Sequence, residues 1–168
     1  TDWTTFQDQV GAINVRNTVQ AAIDLTRDDR NDYVMVTPRD SGANYALGTA
    51  VDLNKDRVHL LGAGYTKAHN GAVTLEGYVA ASGIDTELMF VSGAGCEVGG
   101  IRLLGTAGTA AGGTISGGFL RLGTATSGTP HFAHIHDVAV ENNQAAAAGG
   151  TTDIVTFTGN VGGGIRGV

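Results

Sequence analysis

The sequence has little cysteine and little positive charge, and each shortage excludes a class of protein. A single cysteine, Cys96, excludes an intrachain disulfide, and no paired cysteine spacing points to a zinc site. Only 10 Lys and Arg stand against 16 Asp and Glu, and the net charge of −6 argues against a surface that grips nucleic-acid phosphates. No apolar run approaches the roughly 20 residues that span a bilayer. We therefore expect neither a nucleic-acid partner nor a membrane-spanning segment.

Glycine, in contrast, is abundant, with 27 of the 168 residues, whereas average usage is only ~7%. The glycines have no three-residue period, which excludes collagen. With 42% hydrophobic residues the chain is too apolar to be disordered, and its length suffices for one domain with a core. The composition indicates one folded, turn-rich domain.

Helical spacing is present in one segment, NTVQAAIDLTRDD at residues 17–29. Val19, Ala22 and Ile23 fall at i, i+3 and i+4, and Asn17 or Thr18 can cap the start. The rest of the chain has short strand-like stretches between Gly, Asn, Asp and Thr turns. The predicted strands are YVMVT, AVDL, RVHLLG, AVTLEG, ELMFV, CEVGGIRLLG, GFLRLG, HFAHIHDVAVEN and DIVTFTG. Because no second helix separates them, a doubly wound α/β sheet is disfavoured.

A weak internal repeat distinguishes among the β architectures. The segment Val98–Leu103 aligns with Ile135–Val140 at an offset of 37 residues, and the apolar positions coincide. A third, imperfect copy is Val161–Ile165, which has one extra residue before its final isoleucine. The repeat predicts that these segments occupy equivalent places in successive structural units.

The first copy of the repeat also predicts a bend. Strict strand alternation would place Val98 on one face and put Ile101 and Leu103 on the other. All three side chains can face one core only if the backbone turns a corner at Gly99 and Gly100. A repeated order of strand, corner, strand and loop is typical of a parallel β-helix.

The N-terminal third carries a longer pattern, which runs from Asn17 to Gly64. Its elements are a helix of the T-x-Q-A-A-I-D type, a strand with proline, an l-n-k turn and a strand ending in G-x-G. The matching residues are Val19-Gln20-Ala21-Ala22-Ile23-Asp24, Pro38, Tyr45, Leu47, Leu53-Asn54-Lys55 and Leu61-Gly62-Ala63-Gly64. This pattern resembles the entry segment of the pectate-lyase-like superfamily of right-handed parallel β-helices. Arg39-Asp40-Ser41-Gly42 departs from it, because the family has a tighter Pro-Gly turn there.

The resemblance implies an all-β, right-handed parallel β-helix with an N-terminal amphipathic capping helix. We expect residues 1–32 to form the N-terminal segment and capping helix, and residues 33–168 to form the coils. A helix over an open solenoid end covers unpaired strand edges and apolar core. We expect roughly five or six coils of ~25–30 residues. We also expect the coils to continue beyond the final GGGIRGV, or a partner to cover that end.

The superfamily includes lyases, hydrolases, phage tailspikes and virion parts, so the fold does not fix the function. The leading hypothesis is a structural or adhesive module of an extracellular assembly: a phage tailspike, fibre or capsid decoration protein that contacts host surface glycans. Its expected location is the virion or the extracellular space. Its expected partners are other virion subunits, copies of itself in a trimer, and host polysaccharide. The alternative is a polysaccharide lyase or glycoside hydrolase.

Carboxylates are the first candidates for chemistry, because glycan cleavage usually needs a pair of them. The catalytic candidates are Asp85, Glu87, Asp137 and Glu141, and Glu97 and Asp153 also lie on or beside later strands. Their alternative role is that of solvated turn residues on an acidic protein. Neither the Arg-x-Pro-x-x-Arg motif of pectate lyases nor the Asn-Thr-Asp and Arg-Ile-Lys motifs of polygalacturonases occurs. These absences favour the structural hypothesis.

Histidines are the second candidates. His134 and His136 project on one side of a strand, with His131 nearby. Two imidazoles at i and i+2 can ligate a metal, and Asp137 or Glu141 can supply a third ligand. Exposed polar positions on an outward strand face explain the same pattern, and we expect no bound metal or cofactor.

Aromatic residues are the candidates for glycan contact. Tyr65 and Tyr78 lie beside turn residues, where exposed rings can stack on sugars, although buried rim tyrosines fit the same positions. The sequence Gly62-Ala63-Gly64 is not a dinucleotide loop, because residue 67 is Lys and no helix follows.

Overall fold

The computed structural model describes residues 14–39, 44–47, 49–63, 73–77, 88–106, 119–123, 132–143, 155–157 and 163–166. In these residues the chain forms one short α-helix and thirteen strands, and it is therefore predominantly β, as predicted. The elements are α1 Val19–Asp24, β1 Asp32–Val36, β2 Tyr45–Leu47, β3 Val51–Leu53, β4 Val58–Gly62, β5 Val73–Gly77, β6 Met89–Val91, β7 Glu97–Gly99, β8 Ile101–Thr106, β9 Leu120–Leu122, β10 Ala133–His136, β11 Ala139–Asn143, β12 Val155–Phe157 and β13 Gly163–Arg166.

The strands are distributed in turn over three parallel sheets. Sheet A has the order β1-β4-β7-β10-β13, sheet B the order β2-β5-β8-β11 and sheet C the order β3-β6-β9-β12. Each strand therefore lies beside the strand that comes three places earlier in the chain, in the same sheet. A sandwich built from hairpins would pair its strands antiparallel, whereas every strand pairing among the described residues is parallel. This connectivity is consistent with the predicted all-β parallel solenoid.

The length of each coil can be read from the register along sheet A. The paired residues are Asp32 with Val58 (26 residues apart), His59 with Glu97 (38), Glu97 with His134 (37) and Ala133 with Gly163 (30). Two coils are thus longer than the expected ~25–30 residues. They include the intervals 64–72, 78–87, 107–118 and 124–131, which lie outside the described residues.

The predicted corner in the first repeat copy is confirmed. Strand β7 ends at Gly99, and Gly100, with a φ of 66°, separates it from β8. Asp137, which has a φ of 51°, and Val138 lie between β10 and β11. Ile135 pairs with Val98, so the 37-residue offset is the structural register. Glycine adopts this left-handed conformation freely, and aspartate is among the residues that tolerate it best.

The third repeat copy, in contrast, is misaligned by the sequence pattern. Ile165 pairs with Ile135, so it takes the place of Val98 and not that of Ile101. Strand β13 already begins at Gly163, two residues before that isoleucine. A run of glycines offers no side-chain pattern to fix a register, which is why the sequence alignment was wrong here.

A second corner lies just before sheet A and was not predicted. One position there has a positive φ in four successive coils. The residues are Asn31 at 59°, Arg57 at 57°, Gly95 at 66° and Phe132 at 63°. Arginine and phenylalanine seldom adopt this conformation, so no sequence signal marks the corner. Its recurrence shows that the path of the coil determines the backbone conformation at this position.

The inward residues of the three sheets form one continuous core. Val98, Ile101 and Leu103 are all buried, which confirms that the corner lets them face the same interior. Further fully buried side chains are Leu53, Leu60, Leu75, Met89, Leu120, Leu122 and Ile135. Burying one such side chain contributes about 1.5–3 kcal/mol. Since the core takes one face of each sheet, polar chemistry is confined to the outer faces and the corners.

The helix is shorter than the predicted segment 17–29. It begins after the N-cap Thr18 and ends at Asp24. Beyond that point, the N–H of Arg27 donates to the carboxylate of Asp32 at 3.0 Å and not to a helix carbonyl. This bond directs the chain out of the helix and toward β1.

Two polar side chains attach α1 to the first coil. Gln20 Oε1 accepts from the N–H of Asp52 at 2.8 Å, and Gln20 Nε2 lies 3.4 Å from the carbonyl oxygen of Asp52. Because β3 is an edge strand of sheet C, Gln20 satisfies backbone groups that have no neighbouring strand. Lys55 Nζ donates to carbonyls at the helix C-terminus, where a positive charge is favourable. The acceptors are Ile23, Asp24 and Thr26, at 3.3, 2.8 and 2.6 Å.

Candidate functional site

Residues able to bind metals or exchange protons gather on the outer face of sheet A. Residues of β4, β7 and β10 alternate between the core and the outside, so His59, Glu97 and His134 point outward. The register pairs both histidines with Glu97, one on each neighbouring strand. Tyr33 on β1 continues the same row. Adjacent strands lie about 4.8 Å apart, so side chains in one row are in contact range.

Glu97 is the centre of this group and accepts from two neighbouring strands. Its Oε2 lies 2.8 Å from His59 Nδ1, and its Oε1 lies 2.9 Å from His136 Nε2. His134 Nδ1 is 3.8 Å from the same Oε1. We call His59, Glu97, His134 and His136 the histidine–glutamate cluster. It is partly buried, since the Glu97 side chain is only 24% exposed.

The ring of His136 occupies space that Gly99 leaves open. A Cβ at residue 99 would lie 2.4 Å from His136 Cε1 and 2.5 Å from Nε2. Any side chain there would push the imidazole away from Glu97. Gly99 was predicted to form the corner together with Gly100; it is the last residue of β7, and Gly100 directly after it has the positive φ of the corner. The role of Gly99 is to let His136 reach Glu97.

Two further residues fix the ends of the cluster. The ring of Tyr33 stacks on His59, with centroids 4.4 Å apart and an angle of 12° between the planes. Asp137 Oδ2 lies 3.0 Å from His136 Nδ1. Both ring nitrogens of His136 therefore face carboxylate oxygens, which accept but do not donate when ionised. His136 is held in one orientation from both sides.

These contacts favour an ionised Glu97 beside a protonated His136. Burial raises the pKa of Glu97, but the hydrogen bonds and charges of His59 and His136 together outweigh it, and the net pKa lies below the ordinary 4.5. The hydrogen bond to Asp137 is the main cause that raises the pKa of His136 above 6.5, and Glu97 adds to it against partial burial.

Of the four carboxylates that the sequence suggested as catalytic candidates, the structure describes Asp137 and Glu141. Glu141 lies on β11 and pairs with Arg102 on the adjacent strand β8. Asp137 lies at the corner and holds His136. Asp85, Glu87, Asp153, His131, Tyr65 and Tyr78 lie outside the described residues.

The two histidines suggested as metal ligands do lie together. The rings of His134 and His136 have centroids 4.7 Å apart. The carboxylate that could hold a metal ion together with both rings is that of Glu97. The sequence suggested Asp137 or Glu141 as the third ligand. Asp137 Oδ2 lies 3.0 Å from His136 Nδ1, and Glu141 pairs with Arg102. The repeat held the signal that would have found it, because an offset of 37 residues places position 97 beside position 134.

A cleft of about 420 Å³ lies between α1 and β1. Tyr33 and Tyr45 are among its lining residues, and the hydroxyl of Tyr45 donates to the carbonyl of Thr37 at 2.7 Å. Tyr33 is 62% exposed and also stacks on His59, so one ring joins the cleft to the cluster. Phe119, another aromatic residue, is buried in the core.

Comparisons of the chain with protein-family models, curated proteins and solved structures found no match. No helix among the residues that the structure describes is long and apolar enough to cross a membrane.

Proposed function

We propose that this chain is a right-handed parallel β-helix of the pectate-lyase-like kind that serves as a rigid structural and adhesive module of an extracellular assembly. The specific case we propose is a phage virion protein, either part of a tailspike or fibre or a capsid decoration protein. The observation that carries the proposal is the cyclic return of parallel strands to three sheets.

This connectivity suits a rod that bears load. In a solenoid each coil contacts only its neighbours, and the backbone hydrogen bonds run between coils along the axis. Here the same inward row continues through Leu60, Val98 and Ile135, all fully buried. Stretching or bending such a rod would break hydrogen bonds and core contacts together, which supports a mechanical role.

The attachment of α1 supports a module that stays soluble at high local concentration. Exposed strand edges invite pairing with other chains. Gln20 occupies the edge of β3, and Lys55 fastens the helix above it through three carbonyls. One end of the first coil is thereby protected from pairing with another copy of the chain.

Exposed aromatic and polar groups support a contact with host glycans. Tyr33 presents an accessible ring beside the cleft, and sugar rings stack on such faces. Tyr65 and Tyr78 remain the candidates from the sequence. A surface with six excess negative charges favours neutral or basic glycans over polyanionic ones.

The proposal is tested by quantitative mass spectrometry of purified phage particles from the source of this sequence. We expect this chain at a fixed copy number that is a multiple of three, and a sedimentation mass three times 17.1 kDa for the isolated protein. A matched pair, Tyr33→Ala and Tyr45→Phe, tests glycan retention, which only the first should reduce. Absence from particles, together with release of reducing sugar or unsaturated uronate from a polysaccharide, would favour the enzyme alternative and contradict the proposal.

A further inference from the structure

We propose that Glu97, His134 and His136 form a binding site for a divalent transition-metal ion of the Zn²⁺ class on the outer face of sheet A. The inference rests on the geometry of the histidine–glutamate cluster and does not depend on the proposed function.

The spacing of the donor atoms fits one metal ion. Ligand atoms at about 2.0–2.2 Å from a tetrahedral Zn²⁺ lie roughly 3.3 Å from one another. Glu97 Oε1 is 2.9 Å from His136 Nε2 and 3.8 Å from His134 Nδ1, on either side of that value. Each of the three residues has a ligand atom that lies within 4.8 Å of a ligand atom of the other two. Small rotations of the three side chains suffice to place them around one ion.

The metal would replace a proton. Without a metal, His136 Nε2 donates to Glu97 Oε1 across 2.9 Å. Binding releases this proton to solvent and leaves the Nε2 lone pair and the carboxylate oxygen as ligands. The Nδ1 proton stays on the ring, because Asp137 Oδ2 accepts it. A carboxylate that orients a ligating histidine in this way is typical of zinc sites.

The surroundings also fix Glu97. His59 Nδ1 holds the second oxygen of Glu97 at 2.8 Å, and the stacked ring of Tyr33 holds His59. Gly99 leaves the space in which His136 turns toward the ion. Two of the ligands are on β10 and one is on β7, so the ion would also join two successive coils.

The donor types identify the class of metal. Ca²⁺ and Mg²⁺ prefer sites made of oxygen alone. Two imidazoles and one carboxylate suit Zn²⁺, Co²⁺, Ni²⁺ or Cu²⁺. Two histidines and a glutamate leave the fourth position of a tetrahedral ion for water or an external ligand. The His134 side chain is 50% exposed, so that position is reached from solvent.

The test uses the full chain, stripped with a chelator and dialysed. Co²⁺ is titrated and followed by its visible absorption, and Zn²⁺ is titrated by calorimetry and by displacement of Co²⁺. We expect one ion per chain with the strong visible band of a tetrahedral cobalt site. Absence of binding, or a Co²⁺ spectrum typical of a hydrated octahedral ion, would overturn the proposal.

Variants assign the ligands. We expect His136→Ala and Glu97→Gln each to weaken Zn²⁺ binding by at least ~100-fold, since loss of a supporting group alone costs 10–100-fold. The matched control Glu141→Gln removes a carboxylate from the Arg102 pair on another sheet and should leave affinity unchanged. Equal affinity in the wild type and in the His136→Ala protein would place the ion elsewhere and refute the site.

A measurement on the wild-type chain keeps the proposal testable if a variant fails to fold. Diethylpyrocarbonate modifies accessible histidines, and peptide mass spectrometry reports the rate at each position. We expect Zn²⁺ to slow modification of His134 and His136 relative to the metal-free chain. Unchanged rates at both histidines would contradict the assignment.

Discussion

Two corners that are equivalent in successive coils carry different chemistry. At the end of β7 the chain has Gly99 and Gly100, and at the end of β10 it has His136 and Asp137. The corner residues have nearly the same φ, 66° and 51°. The backbone path is therefore common to both coils, and the side chains differ freely within it.

The comparison also shows that the two corners depend on each other. The His136 ring lies where a side chain of residue 99 would be, so the empty position in one coil receives the functional group of the next. Asp137 has the left-handed φ of the corner, and its side chain also forms a hydrogen bond with His136. Parallel sheets stacked in this way can thus acquire a polar site without disturbing the core, because the corner and the outer face lie outside it.

The largest expected effect comes from Gly62, the residue of the preceding coil at the same corner. A Cβ there would lie 2.0 Å from the carbonyl oxygen of Gly100, and backbone cannot give way as a side chain can. We expect Gly62→Ala to lower the free energy of unfolding by about 3 kcal/mol or more. Urea denaturation measures it. Wild-type stability in this variant would show that the two coils do not approach so closely.

The next effect compares the two corner residues directly. Gly100→Ala places a Cβ at a left-handed φ and 2.9 Å from the Gly62 oxygen, so we expect a loss of about 1–3 kcal/mol. Asp137→Gly puts glycine, which adopts a left-handed φ freely, at the equivalent corner. We expect it to change the free energy of unfolding by less than about 1 kcal/mol. Chemical denaturation of both variants gives the contrast. Equal losses would mean that the corners are not equivalent.

A substitution at Gly99 separates an effect on metal binding from an effect on stability. The residue lies in a strand with ordinary φ, and the obstacle to a Cβ is a side chain that can rotate. We expect Gly99→Ala to cost less than about 1 kcal/mol of stability, yet to weaken Zn²⁺ binding by roughly 10–100-fold as His136 is displaced. Denaturation and metal titration on one sample measure both. A variant with unchanged affinity would show that His136 does not need this space.

The smallest expected effect is the pH dependence of the metal-free protein. The raised pKa of His136 means that its stabilisation is complete below 6.5 and is lost as pH rises through the folded-state value. The lowered pKa of Glu97 means that its contribution is present above 4.5 and is lost as pH falls through the folded-state value. The cluster therefore stabilises most between pH 4.5 and 6.5.

This pH dependence is measured by unfolding in a chelator, with His136→Gln as the reference. We expect the wild type to lose up to about 1 kcal/mol relative to the variant as pH rises from 6 to 9, the scale of partly exposed ion pairs. A difference between the two proteins that stays constant with pH would contradict a raised pKa for His136.

Much of the fold was predictable because the core repeats. The offset between Val98 and Ile135 gave the register of two coils, and the shared burial of Ile101 and Leu103 required the corner between them. The short segment Tyr45–Leu47 was not predicted as a strand, because three residues carry too little alternation to show a pattern. Its strand character comes from pairing with β5.

Only part of the candidate site could be predicted from the sequence. His134 and His136 stand out because they share a strand face, whereas Glu97 is 37 residues away and joins them only through the register. His59 is a coil further back, and the corner residues Arg57 and Phe132 adopt a conformation that their residue types disfavour. The contacts and the backbone conformations at these positions are determined by tertiary structure, so they cannot be predicted from local propensity.

The most direct test of the central claim is anomalous diffraction at the zinc edge from crystals grown with Zn²⁺. The claim is that outward residues of two equivalent strands in successive coils, β7 and β10, together build one metal site. We predict a single strong peak on the outer face of sheet A, about 2.0–2.2 Å from Glu97 Oε1, His134 Nδ1 and His136 Nε2. A map with β7 and β10 side by side but no peak between these residues would contradict the site. Strands β7 and β10 lying apart would contradict the register on which the claim depends.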